Sequence, residues 1–131
     1  MKPEDIYSSS SSNNLRTGNT GEDMAIKYLE SKGYEILSRN WRYEKAELDI
    51  VCRKGGITVF TEVKTRRTLY FGHPEEGVTP AKQRHLSRAA NGYVMAFDVH
   101  GDLRFDIISV TLLKGKEPEI YHIEDAFFPM G

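Results

Sequence analysis

Glu47-Leu48-Asp49 and Glu62-Val63-Lys64 stand on two strand-like segments joined across a Gly-Gly turn. Successive strand residues point to opposite faces, so Glu47 and Asp49 share a face, as do Glu62 and Lys64. Paired as a hairpin, the two segments gather three carboxylates and one ammonium on a single patch. Hard divalent cations such as Mg²⁺ take oxygen ligands, often one or two carboxylates completed by water and phosphate. Asp49 and Glu62 fit that role, with Glu47 and Glu22 as accessory acids. A metal held there lowers the pKa of bound water and neutralises charge on phosphorus. Lys64 is placed to orient the attacking water or to stabilise developing negative charge. Arg66 is the next residue along the same face; with Arg67 and Lys82 it supplies phosphate contacts. A single Glu-x-Lys on a strand is commonly a solvent-facing ion pair. Here it follows an apolar run and faces a second acidic cluster, and grouped acids repel one another unless a cation offsets them.

The elements that must position these groups are legible from pattern. Thr20 is expected to cap a helix running to Lys32, with Gly33 as its stop. Ala25, Ile26 and Leu29 form the apolar side of that helix. Glu22 points toward the core side, although a glutamate in a first turn is also favoured simply by the helix dipole. Strands are expected at Tyr34–Trp41, Glu47–Cys52 and Ile57–Lys64. Leu48, Ile50 and Cys52 should face away from the acids. Ile57, Val59, Thr61 and Val63 should oppose Thr58, Phe60, Glu62 and Lys64. A two-residue loop at Lys54-Gly55 pairs Arg53 with Gly56, hence Asp49 with Phe60 and Glu47 with Glu62. Asp49 is then diagonal to Glu62, about 7–8 Å away.

Residues 65–78 read as a loop carrying Arg66, Arg67, Tyr70, Phe71 and His73. Thr79-Pro80 begins a second helix, expected to reach about Phe97. Its stripe of Leu86, Ala89, Ala90, Tyr93, Val94 and Phe97 is core, with Lys82 at the rim. Strands follow at Leu103–Val110 and Glu119–Ile123. The order α-β-β-β-α-β-β predicts an α/β layered domain with a mixed sheet flanked by helices.

Composition narrows the function classes. The 131 residues suit one domain, with residues 1–17 as a Ser-rich disordered tail and 18–131 as the folded unit. No apolar run approaches a membrane span, and the N-terminus lacks a signal-peptide core, so a cytoplasmic location is expected, with no membrane partner. The single cysteine, Cys52, excludes a disulfide framework and reads as a small buried hydrophobe. His73, His85, His100 and His122 lack zinc-ligand spacing. No nucleophile elbow, P-loop or dinucleotide fingerprint is present. Net charge is −1, yet Arg53–Arg88 holds eight basic residues against three acidic ones. A basic flank beside an acidic centre suits a phosphate backbone, since fields act locally; a solvated charged surface would look the same.

At these residues the chain resembles the YraN-like family of small bacterial proteins, which has the PD-(D/E)XK fold of restriction endonucleases and Holliday-junction resolvases. The matching stretches are Gly21–Ala25, Gly33–Leu37, Arg39–Arg42, Glu47–Val51, Phe60–Arg66, Lys82, Arg104–Ile108 and His122–Phe127. They occur in order from about Thr17 to the end. The resemblance implies an α-β-β-β-α-β nuclease core, Asp49 and Glu62 as metal ligands, Lys64 as the catalytic lysine and Glu22 as the acid of the first helix. Ala46 stands where the family usually has glycine, and Thr61 replaces a commonly apolar residue. By that resemblance the expected activity is Mg²⁺- or Mn²⁺-dependent endonucleolytic hydrolysis of DNA, including branched DNA, with a homodimer expected by analogy with resolvases. A non-catalytic nucleic-acid-binding module on the same fold, and a metal-free domain whose acids pair with Lys64 and Arg66, remain alternatives.

Overall fold

A computed structural model describes residues 20–68 and 77–128. The expected N-terminal tail and the loop residues Tyr70, Phe71 and His73 lie outside the described residues. The described elements are α1 (Thr20–Ser31), β1 (Glu35–Tyr43), β2 (Ala46–Lys54), β3 (Ile57–Arg66), α2 (Pro80–Phe97), β4 (Asp102–Thr111) and β5 (Glu119–Phe127). The expected order of elements is therefore present. Thr20 is already helical rather than the residue ahead of the helix. Thr79 does cap α2, its hydroxyl accepting from the Lys82 N–H at 3.2 Å.

The five strands form one mixed sheet in the order β1-β2-β3-β4-β5. β1, β2 and β3 are joined by two tight antiparallel hairpins. β3 and β4 run parallel through ten paired positions, from Ile57 opposite Asp102 to Arg66 opposite Thr111. A parallel pair needs a long crossover, and α2 lies within it.

The β2–β3 turn differs from the expectation. Lys54 pairs with Ile57, so the loop is Gly55-Gly56 and not Lys54-Gly55. Both glycines have positive φ, 59° and 79°. A hairpin whose two central residues are left-handed matches the twist of its strands, and glycine adopts that conformation without a Cβ penalty. The shift moves each β3 residue two places along its partner, so Phe60 lies opposite Val51 rather than Asp49.

α1 and α2 cover opposite faces of the sheet. On one face Leu86, Ala89, Ala90 and Tyr93 of α2 pack on Val51, Phe60, Phe105 and Ile107. On the other, Ala25, Ile26 and Leu29 of α1 pack on Ile50, Cys52, Val59, Ile108 and Val110. Cys52 is fully buried and free, and burial pushes its thiol up to about 12. Leu48 departs from its expected face: it joins the α2-side cluster with Val51 rather than that of Ile50 and Cys52. The change falls level with Asn40 of β1, whose φ of 54° interrupts the alternation of that strand. Arg39 on one side of it reaches Glu22 of α1, while Trp41 on the other packs edge-on against Tyr93 of α2. Strict period-2 reading fails at such a kink.

A second polar cluster ties α1, β4 and β5 together. Asp106, fully buried, accepts two hydrogen bonds from Arg104 at 2.8 Å each and one from the Asp125 N–H at 3.0 Å. His122 Nε2 lies 2.7 Å from Asp106 Oδ2, and His122 Nδ1 lies 3.1 Å from the Tyr28 hydroxyl. Arg104 also donates to the Tyr34 hydroxyl. These donors hold the Asp106 carboxyl below its ordinary value against the opposing effect of burial. The sheet register shifts at this point, between Phe105 and Ile107, and the carboxylate satisfies the backbone N–H at the irregularity.

Candidate active site

β2 and β3 keep regular pairing only as far as Ile50 opposite Thr61. One residue further on, Asp49 Oδ2 accepts from the Val63 N–H at 2.9 Å. A side-chain carboxylate thus satisfies a backbone donor where the strands part. The Gly55-Gly56 turn places Asp49 across from Glu62, not diagonal to it as a Lys54-Gly55 turn would require. The Glu62 carboxyl is near enough to perturb that of Asp49 directly. Burial, reinforced by the charge of Glu62, drives the Asp49 carboxyl well above the usual carboxylate range.

Glu62 is 6% exposed and carries two amines on the same oxygen. Lys82 Nζ is 2.5 Å from Oε2 and Lys64 Nζ is 3.8 Å away. Lys64 shares the face of Glu62 as strand parity requires. Its amine titrates below the ordinary lysine value, first because burial disfavours charge and then because Lys82 is a like charge nearby. For Lys82 burial works downward, but the hydrogen bond to Glu62 and its charge prevail and the value rises. Sequence spacing placed Lys82 among phosphate contacts; the fold makes it the nearest cation to Glu62.

The other expected site residues divide. Glu22 enters the site's electrostatics, with its carboxyl raised chiefly by burial. It is held by Arg39 Nε at 3.3 Å, and Arg39 also grips Asp23 at 2.6 Å. Gly21 lets the start of α1 approach β3, because a Cβ there would run into Thr65 Oγ1. Glu47 stays at the rim, 3.6 Å from Arg42. Arg66 is half-buried at the end of β3, and Arg67 is exposed just beyond it. Neither arginine lines the cavity described next.

That cavity, about 420 Å³, opens over the carboxylates. Glu47, Asp49 and Glu62 give it an acidic lining, with Glu47 at the rim, and Lys45, Lys82 and His85 contribute basic or titratable groups. A neighbouring cavity shares Lys45, Ala46 and His85 and extends to Tyr43 and Arg88. Lys45, His85 and Arg39 were not singled out by spacing. His85 lies one turn after Lys82 and was discoverable from helical periodicity; nothing local marked Arg39, which is 2% exposed.

The donor set fits a hard cation. Half-buried Asp49 and buried Glu62 supply neighbouring oxygens, and a divalent ion between them would offset the repulsion of their charges. Among the described residues no three of Asp, Glu, His and Cys are grouped to hold an ion together. Two carboxylates with an open side suit Mg²⁺ or Mn²⁺ sharing its shell with water and phosphate, and do not suit zinc. Among the described residues no helix is long and apolar enough to cross a membrane.

Comparison with known proteins places the chain. A family model described as "Uncharacterised protein family UPF0102" matches residues 21–110. A UPF0102 protein of Flavobacterium psychrophilum is 47% identical over 111 residues, covering 85% of this chain and 92% of the relative. One of Caldicellulosiruptor saccharolyticus is 43% identical over 117 residues, covering 88% and 99%. One of Geobacter sulfurreducens is 46% identical over 120 residues, covering 89% and 92%. The family match contains α1 from Gly21 onward, the Asp49–Glu62 pair, Lys64, Lys82 and all but the last residue of β4. With that span and those identities, the chain belongs to the UPF0102, or YraN-like, family.

Proposed function

We propose that this protein is a Mg²⁺- or Mn²⁺-dependent endonuclease that hydrolyses phosphodiester bonds in DNA, with branched or otherwise structured DNA as the favoured substrate class. The observation that carries this reading is the Asp49–Glu62 pair, half-buried and buried respectively, with Lys64 beside it, set where β2 and β3 separate beneath an open cavity. The element order and the Glu62-Val63-Lys64 spacing agree with a PD-(D/E)XK arrangement.

Asp49 and Glu62 would hold the metal, which when bound supplies charge neutralisation at phosphorus and an activated water. The chain's own groups do the rest. The Val63 N–H fixes the Asp49 carboxylate in place. The Lys64 amine, its proton loosened by burial, is suited to orienting water and moving a proton at the attacking oxygen. Glu22, held by Arg39, adds negative potential at the edge of the site. Arg66 and Arg67 lie along and beyond β3, where a flanking phosphate backbone would pass. Symmetric branched substrates favour a two-fold dimer, and a homodimer is part of this proposal by analogy.

The test is cleavage of branched, duplex and single-stranded DNA with Mn²⁺ by the wild type, Asp49→Asn and Lys64→Ala. Activity confined to the wild type is expected; equal activity in all three sinks the assignment. A second reading, a nucleic-acid-binding module that does not cut, gains support from the two lysines that already neutralise Glu62. It predicts salt-sensitive DNA binding indifferent to Mn²⁺.

A further inference from the structure

Resting on the proposed metal site, the geometry points to Lys82 as a built-in counter-ion that holds Glu62 until a divalent cation takes its place, and then offers its amine to a phosphate in the same cavity. A buried carboxylate needs a partner, and Glu62 has little access to water. Lys82 meets that need with the shorter of the two contacts, 2.5 Å against 3.8 Å for Lys64. A divalent cation on the same oxygen would stand within a few ångströms of the Lys82 amine. Like charges so close repel strongly inside a protein, so the amine must leave.

The structure makes Lys82 the lysine able to go. Its side chain is 41% exposed, against 23% for Lys64. Lys82 lines the cavity of about 420 Å³, whereas the tip of Lys64 lies against the backbone of Gly77, 3.4 Å from where a Cβ would stand. The base of Lys82 is nevertheless fixed. Its N–H is capped by Thr79, and Val78 just before the cap is buried in the core. An anchored backbone carrying a movable amine converts an internal ion pair into a phosphate contact without moving the helix. Cation and nucleic acid then favour one another, and by linkage each must raise the affinity of the other equally.

Calorimetric titration of Mn²⁺ into the full chain tests this, for the wild type, Lys82→Met and Lys64→Met. Binding of a short labelled DNA duplex is followed by anisotropy with and without Mn²⁺. Lys82→Met is expected to bind Mn²⁺ at least about tenfold more tightly than the wild type. It should also lose most of the strengthening of duplex binding that Mn²⁺ gives the wild type. Lys64→Met should show the smaller gain in Mn²⁺ affinity. Lys82→Gln, which keeps a hydrogen-bond donor for Glu62, carries the same expectation should the methionine variant fail to fold. Wild-type Mn²⁺ binding with no tightening in a folded Lys82 variant overturns the counter-ion role alone. No Mn²⁺ binding by the wild type overturns the metal site with it.

Discussion

Asp106 is fully buried and Asp49 half-buried on the same sheet, and replacing each with asparagine is expected to move stability in opposite directions. Asp106 receives two hydrogen bonds from Arg104 and one from the Asp125 N–H, and His122 lies beside it. The Asp106→Asn change would turn an amide N–H₂ toward donors and leave the guanidinium, whose side chain is 18% exposed, with only the exposed Glu124 carboxylate, 3.5 Å away, as counter-charge. Breaking a buried pair by removing one partner costs about 3–5 kcal/mol. At about 4 °C per kcal/mol for a domain of this size, the melting temperature falls by roughly 12–20 °C. Asp49 has the opposite environment, because its neighbour Glu62 is a second carboxylate. The Asp49→Asn change keeps an acceptor for the Val63 N–H and presents a permanent donor to Glu62. The gain is about 1–2 kcal/mol, or roughly 4–8 °C, typical of relieving strain at a functional site.

The pH dependence separates the two. A depressed carboxyl stabilises above its ordinary value of 3.8 and loses that contribution as pH falls through the lower folded value, so the deficit of Asp106→Asn shrinks only in strong acid. A raised carboxyl destabilises increasingly as pH climbs from 3.8 to its higher folded value, so the advantage of Asp49→Asn appears over that interval and then levels off. Thermal melts of the metal-free proteins across pH 3–8, followed by circular dichroism, measure both. An Asp49→Asn protein no more stable than the wild type at neutral pH would refute the claim that Asp49 is an electrostatically strained acid.

Three further outcomes are expected. Mn²⁺ at a hundred times its dissociation constant should stabilise the wild type by about 2.7 kcal/mol in thermal shift, and Glu62→Gln should lose most of that increment. Gly21→Ala should destabilise by about 1–3 kcal/mol because its Cβ meets Thr65, and the double variant with Thr65→Ala should recover most of the loss, as chemical denaturation would show. Cys52 should resist a thiol reagent in the native protein at mildly alkaline pH and react fully in denaturant; ready native reaction would contradict its burial.

Much of this protein was determined by local chemistry in the chain. Thr79-Pro80 set the start of α2, the Leu86–Phe97 stripe set its buried side, and Glu62-x-Lys64 needed only strand parity to share a face. These signals act over a few residues, so they are written into sequence. Tertiary structure decided what depended on long-range register or on a backbone kink. The two left-handed glycines moved the β2–β3 turn by one residue and set Asp49 across from Glu62. The alternation of β1 breaks at Asn40, so Arg39 reaches Glu22 while Trp41 meets α2, and level with it Leu48 of β2 joins the other cluster. Lys82 came to Glu62 across the β3–α2 connection, a pairing no local pattern encodes. The sequence determined which groups the site has. Their order around Glu62, with Lys82 nearest, was decided only when the turn, the kink and the crossover closed, because a one-residue shift in any of them redirects side chains that local propensity leaves unchanged.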